Sequence, residues 1–162
     1  MSERKTFPCL SVRAPWSWCL LHGKDIENRS WSTKFRGQIA IHSGVSREAM
    51  HNVPWIKGRR KHLDAEIPDA EDFTFGAIVG IVDLYDCVSA ADERSQELMA
   101  DNPWADEDVD TFYLMVRKPL ILPEPIKYQG RLGIFHIAEP EIVSALEKLA
   151  STESVRNLLH DA

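Results

Sequence analysis

The segment FGAIVGIVDLYDCV, Phe75 to Val88, limits the fold more than any other part of the chain. It is rich in β-branched residues and apolar on both faces, so it predicts a strand of a sheet covered on both sides. Gly80 within it allows a bend or close packing. The remaining segments must supply the cover. PCLSV, Pro8 to Val12, reads as a short buried strand, and Pro15 opens a helix that continues through WSWCLL and stops at Gly23. RGQIAIHSG predicts a strand with two different faces, Ile39 and Ile41 alternating with Gln38, Ala40 and His42. Ser46 is a candidate cap for a helix beginning REAM, which Pro54 must break or restart. WIKGRRKHL reads as a basic, exposed helix or loop, and DAEIPDAED as an acidic connector.

After the apolar segment, SAADERSQELMA fits a helix opened by Ser89, and DNPWADEDVD an acidic loop. FYLMVRKPLIL predicts a strand pair, or one strand bent around Pro119. PIKYQGRLGIFHI reads as a turn at Gln129-Gly130 and a last strand. EPEIVSALEKLA carries Ile142, Leu146 and Leu149 on one helical stripe, and the tail from Thr152 reads as a second short helix. Short strands interleaved with helices, without regular βαβ alternation, predict an α+β fold with a small, mostly antiparallel barrel. One domain is expected over residues 1–162, with residues 139–162 a C-terminal helical appendage.

A chain of 162 residues, 44% hydrophobic and 27% charged, can bury one proper core. No apolar run approaches the roughly 18 residues of a membrane span. The charged start MSERKTF argues against a secretory signal, and the three cysteines, Cys9, Cys19 and Cys87, form no C-x-x-C pair. Both features suggest a reducing, cytoplasmic setting. The six histidines lack ligand spacing, so a structural metal site is not expected. The net charge of −6 is divided unevenly: residues 1–63 hold 12 Lys and Arg against 4 Asp and Glu, and residues 64–162 hold 7 against 21. The first part therefore carries +8 and the second −14. Such asymmetry suggests a basic face despite the acidic total, unless the fold interleaves the two parts and the field cancels.

The basic part contains GKDIENRSWSTKFRG, Gly23 to Gly37, with eight charged or aromatic side chains in fifteen residues. If residues 25–31 are extended, Asp25, Glu27, Arg29 and Trp31 share one side and Ile26 faces the other. A carboxylate beside an arginine is held ionised, and an arginine beside a tryptophan offers a stacking plane with a charge for phosphate. The same pattern also fits a solvated ladder of surface ion pairs. Trp16 and Trp18 lie two apart on a helix and cannot both face its core, so one of them is expected to be half-exposed.

Three blocks, LSVRAPWSWCLLHGKDIENRSWSTKFRGQIAIHSG, FGAIVGIVDLYDCVS and PIKYQGRLGIFHI, follow one another over residues 8–137. Together they resemble the ASCH domain, a branch of the PUA-like superfamily. Lys24, Glu27 and Arg29 keep the K-x-x-E-x-R spacing of the family's G-x-K-x-x-E-x-R motif, although Gly23 abuts Lys24 and Ala14 stands where a glutamine is usual. The resemblance implies a small mixed, mostly antiparallel PUA-like β-barrel surrounded by helices, with a cleft where the motif meets the barrel mouth. It also implies a nucleic-acid ligand, single-stranded RNA above all.

On that reading Lys24, Arg29, Lys34 and Arg36 contact phosphates, and Trp31 and Trp16 stack on bases. Glu27 orients the basic groups, and Arg13 and Arg131 line the same cleft. Replacing Lys24 and Arg29 with alanine would then abolish binding and leave thermal unfolding nearly unchanged. If RNA is cleaved, Lys24 stabilises developing phosphate charge, while a carboxylate, Glu27 being the candidate, acts as base or holds Mg²⁺ or another divalent cation. Asp83 and Asp86 are further carboxylates for such an ion. Two alternatives are implied beside it. One is a small amidohydrolase on an acetylated cytidine nucleoside, with Lys24 as base and Glu93 or Glu97 as a further catalytic carboxylate. In that enzyme a threonine occupies the place of Glu27. The other is a non-catalytic reader of modified bases, with Trp16 and Trp31 in an aromatic cage.

Overall fold

A computed structural model describes residues 5–160. The fold is α+β. Its strands are β1 (Phe7–Val12), β2 (Ile26–Arg29), β3 (Gly37–Ser43), β4 (Ala77–Ser89), β5 (Phe112–Lys127) and β6 (Ile134–Ile137). Its helices are α1 (Trp16–Leu20), α2 (Val53–Lys57), α3 (Glu93–Met99) and α4 (Pro140–His160). The strands form one sheet in the order β2-β5-β4-β3-β1-β6, antiparallel throughout except for the β1–β3 pair. The apolar segment is β4, central in this order. Ile78 and Ile81 enter one buried cluster, and Val82 and Leu84 another.

The sheet is mixed and mostly antiparallel, as expected, but its edges β2 and β6 are not joined by a ladder. A side chain spans the seam instead: Arg29, the last residue of β2, donates from Nη2 to the Ser11 carbonyl of β1 at 2.6 Å. The Ser11 amide in turn donates to the Gly133 carbonyl just before β6, at 3.3 Å. The sheet is thus not a closed barrel, and this arginine, in the middle of the charged segment, bridges its open side with a side-chain hydrogen bond.

The two faces of β3 serve two clusters. Ile39 and Ile41 pack inside the curl with Leu10, Leu84 and Leu114, and Ala40 packs on the other side with Phe7, Ile137 and Leu146 of α4. A third cluster ties Cys19 of α1 to Ile26, Ile56, Met99, Trp104 and Tyr113. Trp104, assigned from sequence to an acidic loop, is thus a core residue, 3% exposed. β5 is one sixteen-residue strand. Two residues, Lys118 and Pro119, face Val82 alone, between the pairs Asp83–Arg117 and Ile81–Leu120. This bulge removes the ladder bond that Pro119 cannot make, and the chain bends there.

Three local expectations change. α3 is capped by Asp92, whose side chain accepts from the Arg94 amide at 3.0 Å, while Ser89 forms a turn with the Ala91 amide at 3.2 Å. The segment after Ser46 is a 3-10 turn, Glu48–Asn52, and Pro54 lies in the first turn of α2. No second helix starts at Thr152. The hydroxyls of Ser151 and Thr152 bond back to the Lys148 and Leu149 carbonyls, at 2.8 and 2.6 Å, so neither caps a new start and α4 runs on to His160.

Candidate functional site

The site begins with a glycine. Gly23, just after α1, has φ +120°, and a Cβ there would lie 2.5 Å from the His62 carbonyl oxygen. This turn reverses the chain, and the Lys24 amide donates to the Cys19 carbonyl at 2.9 Å. Lys24 is driven inward and is only 3% exposed. Its Nζ donates to the Ile26 carbonyl at 2.6 Å and to Glu27 Oε1 at 3.1 Å, and lies 5.3 Å from the centre of the Trp16 ring. Pairing of β2 with β5 fixes Glu27 opposite Leu114 and Arg29 opposite Phe112, so their side chains leave the same face. Arg29 donates to Glu27 Oε2 from Nε at 3.2 Å and from Nη2 at 2.9 Å.

Glu27 therefore sits between two cations, and the triad carries one net positive charge. Burial pushes its carboxyl pKa up, but the charges and hydrogen bonds of Lys24 and Arg29 outweigh that penalty and hold it below the ordinary carboxylate value. The glutamate is locked as an anion and in turn holds both basic groups in place.

Two connected clefts open over the triad. The larger, about 1040 Å³, runs along the seam and is lined by Arg13, Trp16, Glu27, Arg29, Trp31 and Arg131 among others. The second, about 720 Å³, lies on the other side of Trp16 and includes Lys24, Trp55, Arg59 and Glu107. Trp16, Glu27, Asn28 and Asn52 line both. Arg29 stacks against Trp31, 5.6 Å from the ring centre. One wall of the larger cleft is the loop Gln129–Gly133. It is fastened by His42, whose Nε2 lies 2.6 Å from the Tyr128 carbonyl oxygen. Since a carbonyl only accepts, Nε2 carries the proton. Gly130 rests directly on the ring: a Cβ there would fall 2.6 Å from His42 Cε1 and 2.8 Å from Ser11 Oγ.

Of the residues singled out from sequence, Arg13, Trp16, Lys24, Glu27, Arg29, Trp31 and Arg131 meet around the two clefts. Lys34 and Arg36 line neither. Arg36 donates to the Thr33 and Phe35 carbonyls and lies 3.6 Å from Asp86. Asp25 is not with Glu27 and Arg29: it precedes the strand, is exposed, and accepts from Asn102 at 2.9 Å. Trp16 and Trp18 are both half-buried. Trp16 turns to the clefts, whereas Trp18 stacks on His22 at 4.3 Å. His42, Asn28 and Asn52 were not anticipated as part of the site, whereas the turn at Gln129-Gly130 and Arg131 at the cleft were. The paired glycines of QGRLG were the one signal for the loop, whereas His42 looked like any polar residue in an alternating strand. The expectation for the double alanine variant also changes. Lys24 and Arg29 carry the buried charge balance of Glu27, so their loss must lower stability as well as alter the cleft.

No family model matches the chain. The chain is 35% identical over 92 residues to human Activating signal cointegrator 1, covering 54% of this chain and 16% of that protein. It is 32% identical over 125 residues to the mouse protein, covering 74% and 20%. The chain thus spans a fifth or less of these relatives' length. A crystal structure of ASCH from Zymomonas mobilis superposes with a TM-score of 0.51 at 12% identity, over 88% of this chain and 94% of that one. The chain carries an ASCH domain.

Within this ASCH domain the K-x-x-E-x-R spacing is the buried triad. Divalent-metal chemistry finds no suitable donor set beside it. Both oxygens of Glu27 are engaged by Lys24 and Arg29, and Glu48, on the same cleft, pairs with Arg13 at 3.3 Å. Asp83 pairs with Arg117 at 2.8 Å, far along β4, and no three His, Cys, Asp or Glu side chains converge among the described residues. The residues therefore do not fit a resident Mg²⁺. Glu93 and Glu97 are exposed on α3 and line neither cleft of the ASCH domain. Among the described residues no helix is long and apolar enough to cross a membrane.

Proposed function

We propose that the protein binds single-stranded RNA, with a base entering the larger cleft against Trp31 and the backbone held by Arg13 and Arg131. The observation that carries this reading is the net-positive triad set under a cleft walled by two half-buried tryptophans and two exposed arginines. Arg29 faces the ligand from the floor, with Trp31 stacked beside it, so charge and a flat apolar plane meet at one point. Trp16 divides the two clefts and offers a second plane. Lys24 and Glu27 act as positioning residues, because their polar atoms are spent on each other, on Arg29 and on the Ile26 carbonyl. Lys34 and Arg36 lie outside the cleft and contribute to the surrounding field.

Fluorescence anisotropy with labelled single-stranded and duplex RNA tests the proposal. Single strands should bind more tightly than duplex, with or without EDTA. Trp31→Ala should weaken binding by about 10- to 100-fold, as expected for loss of one stacked base. Equal affinity for duplex, or an unaffected Trp31→Ala variant, would remove the assignment. Incubation of the same RNA with Mg²⁺, followed by gel electrophoresis, should leave it intact.

A further inference from the structure

The second cleft and the basic segment beside it play no part in holding a single base. The segment Val53 to His62 carries Lys57, Arg59, Arg60 and Lys61 and no carboxylate. Trp55 projects from it, 42% exposed, an unusual degree for an indole that also touches Trp16 and Trp104. The ring is held in place. Arg59 lies 3.2 Å from its centre and is itself tied to the Trp55 and Pro103 carbonyls, both at 3.2 Å. Lys57, Arg60 and Lys61 are exposed. Asp106 and Glu107 also line this cleft, so phosphates are disfavoured beside them and favoured on the basic segment. Trp16 joins this cleft to the first.

We infer that Trp55 and the 53–62 segment form an extension subsite for the next nucleotides of a single strand, Trp55 stacking on a base while Lys57, Arg60 and Lys61 meet phosphates. The inference rests on the RNA-binding reading above and gives the strand a direction, out of the first cleft, past Trp16 and onto the basic segment. It also makes occupancy dependent on length. A strand too short to pass Trp16 uses only the first cleft, and a longer one uses both.

The experiment compares a uridine trinucleotide with a uridine decanucleotide, each fluorescein-labelled, across a salt titration of the full chain. For the decanucleotide, the combined Lys57→Gln, Arg60→Gln and Lys61→Gln variant should reduce the slope of log K against log salt by about 2, that is about 0.7 for each phosphate no longer neutralised. Trp55→Ala should weaken decanucleotide binding by about 10- to 100-fold. The charge variant should not alter trinucleotide affinity by more than about twofold, whereas Trp55→Ala also removes a ring contact with Trp16 and is read on the decanucleotide alone. The charge variant alters exposed side chains only, so it stays informative if Trp55→Ala fails to fold. An unchanged decanucleotide slope in that variant, or an equal loss for both lengths, would overturn the subsite and leave the first cleft standing. A wild-type protein that binds neither oligonucleotide would overturn the RNA reading and this inference with it.

Discussion

Glu27 is the residue on which the site turns. A buried carboxylate between a buried lysine and an arginine is costly to form and costlier to break. Glu27→Ala leaves Lys24, 3% exposed, facing Trp16 with no counter-charge. The expected loss is about 3–5 kcal/mol of unfolding free energy, measured by urea denaturation at neutral pH. Glu27→Gln keeps the shape and an acceptor but removes the charge, so it should fall between wild type and alanine. The same residue sets an acid limit. Its carboxyl is held below the ordinary value of 4.5 in the folded state, so the unfolded chain takes up this proton first as pH falls. The stabilisation is fully present above about 4.5 and is lost as pH drops through the lowered folded value. The stability gap between wild type and Glu27→Gln should therefore narrow below that pH. A gap constant into that range would mean that Glu27 is not held as an anion by its neighbours.

Elements decide which of these residues can meet, and here reading from sequence had uneven reach. The strand β4 was legible because an apolar run has few other uses, whereas β2 was only a condition under which alternation puts Glu27 and Arg29 on one face, and Asp25 fell outside it. The α4 stripe was legible for the same periodic reason. The caps were not, since Ser89 and Asp92 are equally good cap residues and only the path of the chain chooses between them. The site was legible as a motif but not in its depth: nothing in the spacing says that Gly23 turns Lys24 inward. The turn of the wall loop Gln129–Gly133 was legible but its anchoring was hidden for a related reason, because the anchor, His42, lies 86 residues before its hydrogen-bond partner Tyr128. That anchor can be tested through Gly130. A methyl group there meets the His42 ring at 2.6 Å, so Gly130→Ala must shift the loop or the ring. Overpacking of this kind costs about 1–3 kcal/mol. The variant should lose that much stability in urea and also bind single-stranded RNA more weakly, because the wall carries Arg131. Lost stability with unchanged binding would show that the loop's position does not matter to the cleft.

Across the whole molecule, the uneven distribution of charge becomes a spatial arrangement. The basic first part supplies Arg13, Lys24, Arg29 and the 53–62 segment, while the acidic second part brings Asp106 and Glu107 into the lining of the second cleft. Part of this charge cancels by pairing, as in Arg36–Asp86 and Lys5–Glu147, while the second cleft keeps both a cationic and an anionic lining, Lys24 and Arg59 with Asp106 and Glu107. An acidic wall opposes any polyanion, and its presence costs affinity. What it supplies is selectivity, since a single strand can turn its bases toward Asp106 and Glu107 and its phosphates toward Lys57 and Arg60, whereas a duplex shows phosphates on both sides. Asp106→Asn together with Glu107→Gln should accordingly strengthen binding of both forms at low salt, and duplex more than single strand. The exposed carboxylates act through solvent, so the gain should shrink as the screening length falls to about 3 Å near 1 M salt. Anisotropy titrations of the same sequence in single-stranded and duplex form, at low and high salt, measure this directly. If the double variant gains equally for both forms, the acidic wall is a general brake rather than a selector, and preference for single strands must come from the tryptophans alone.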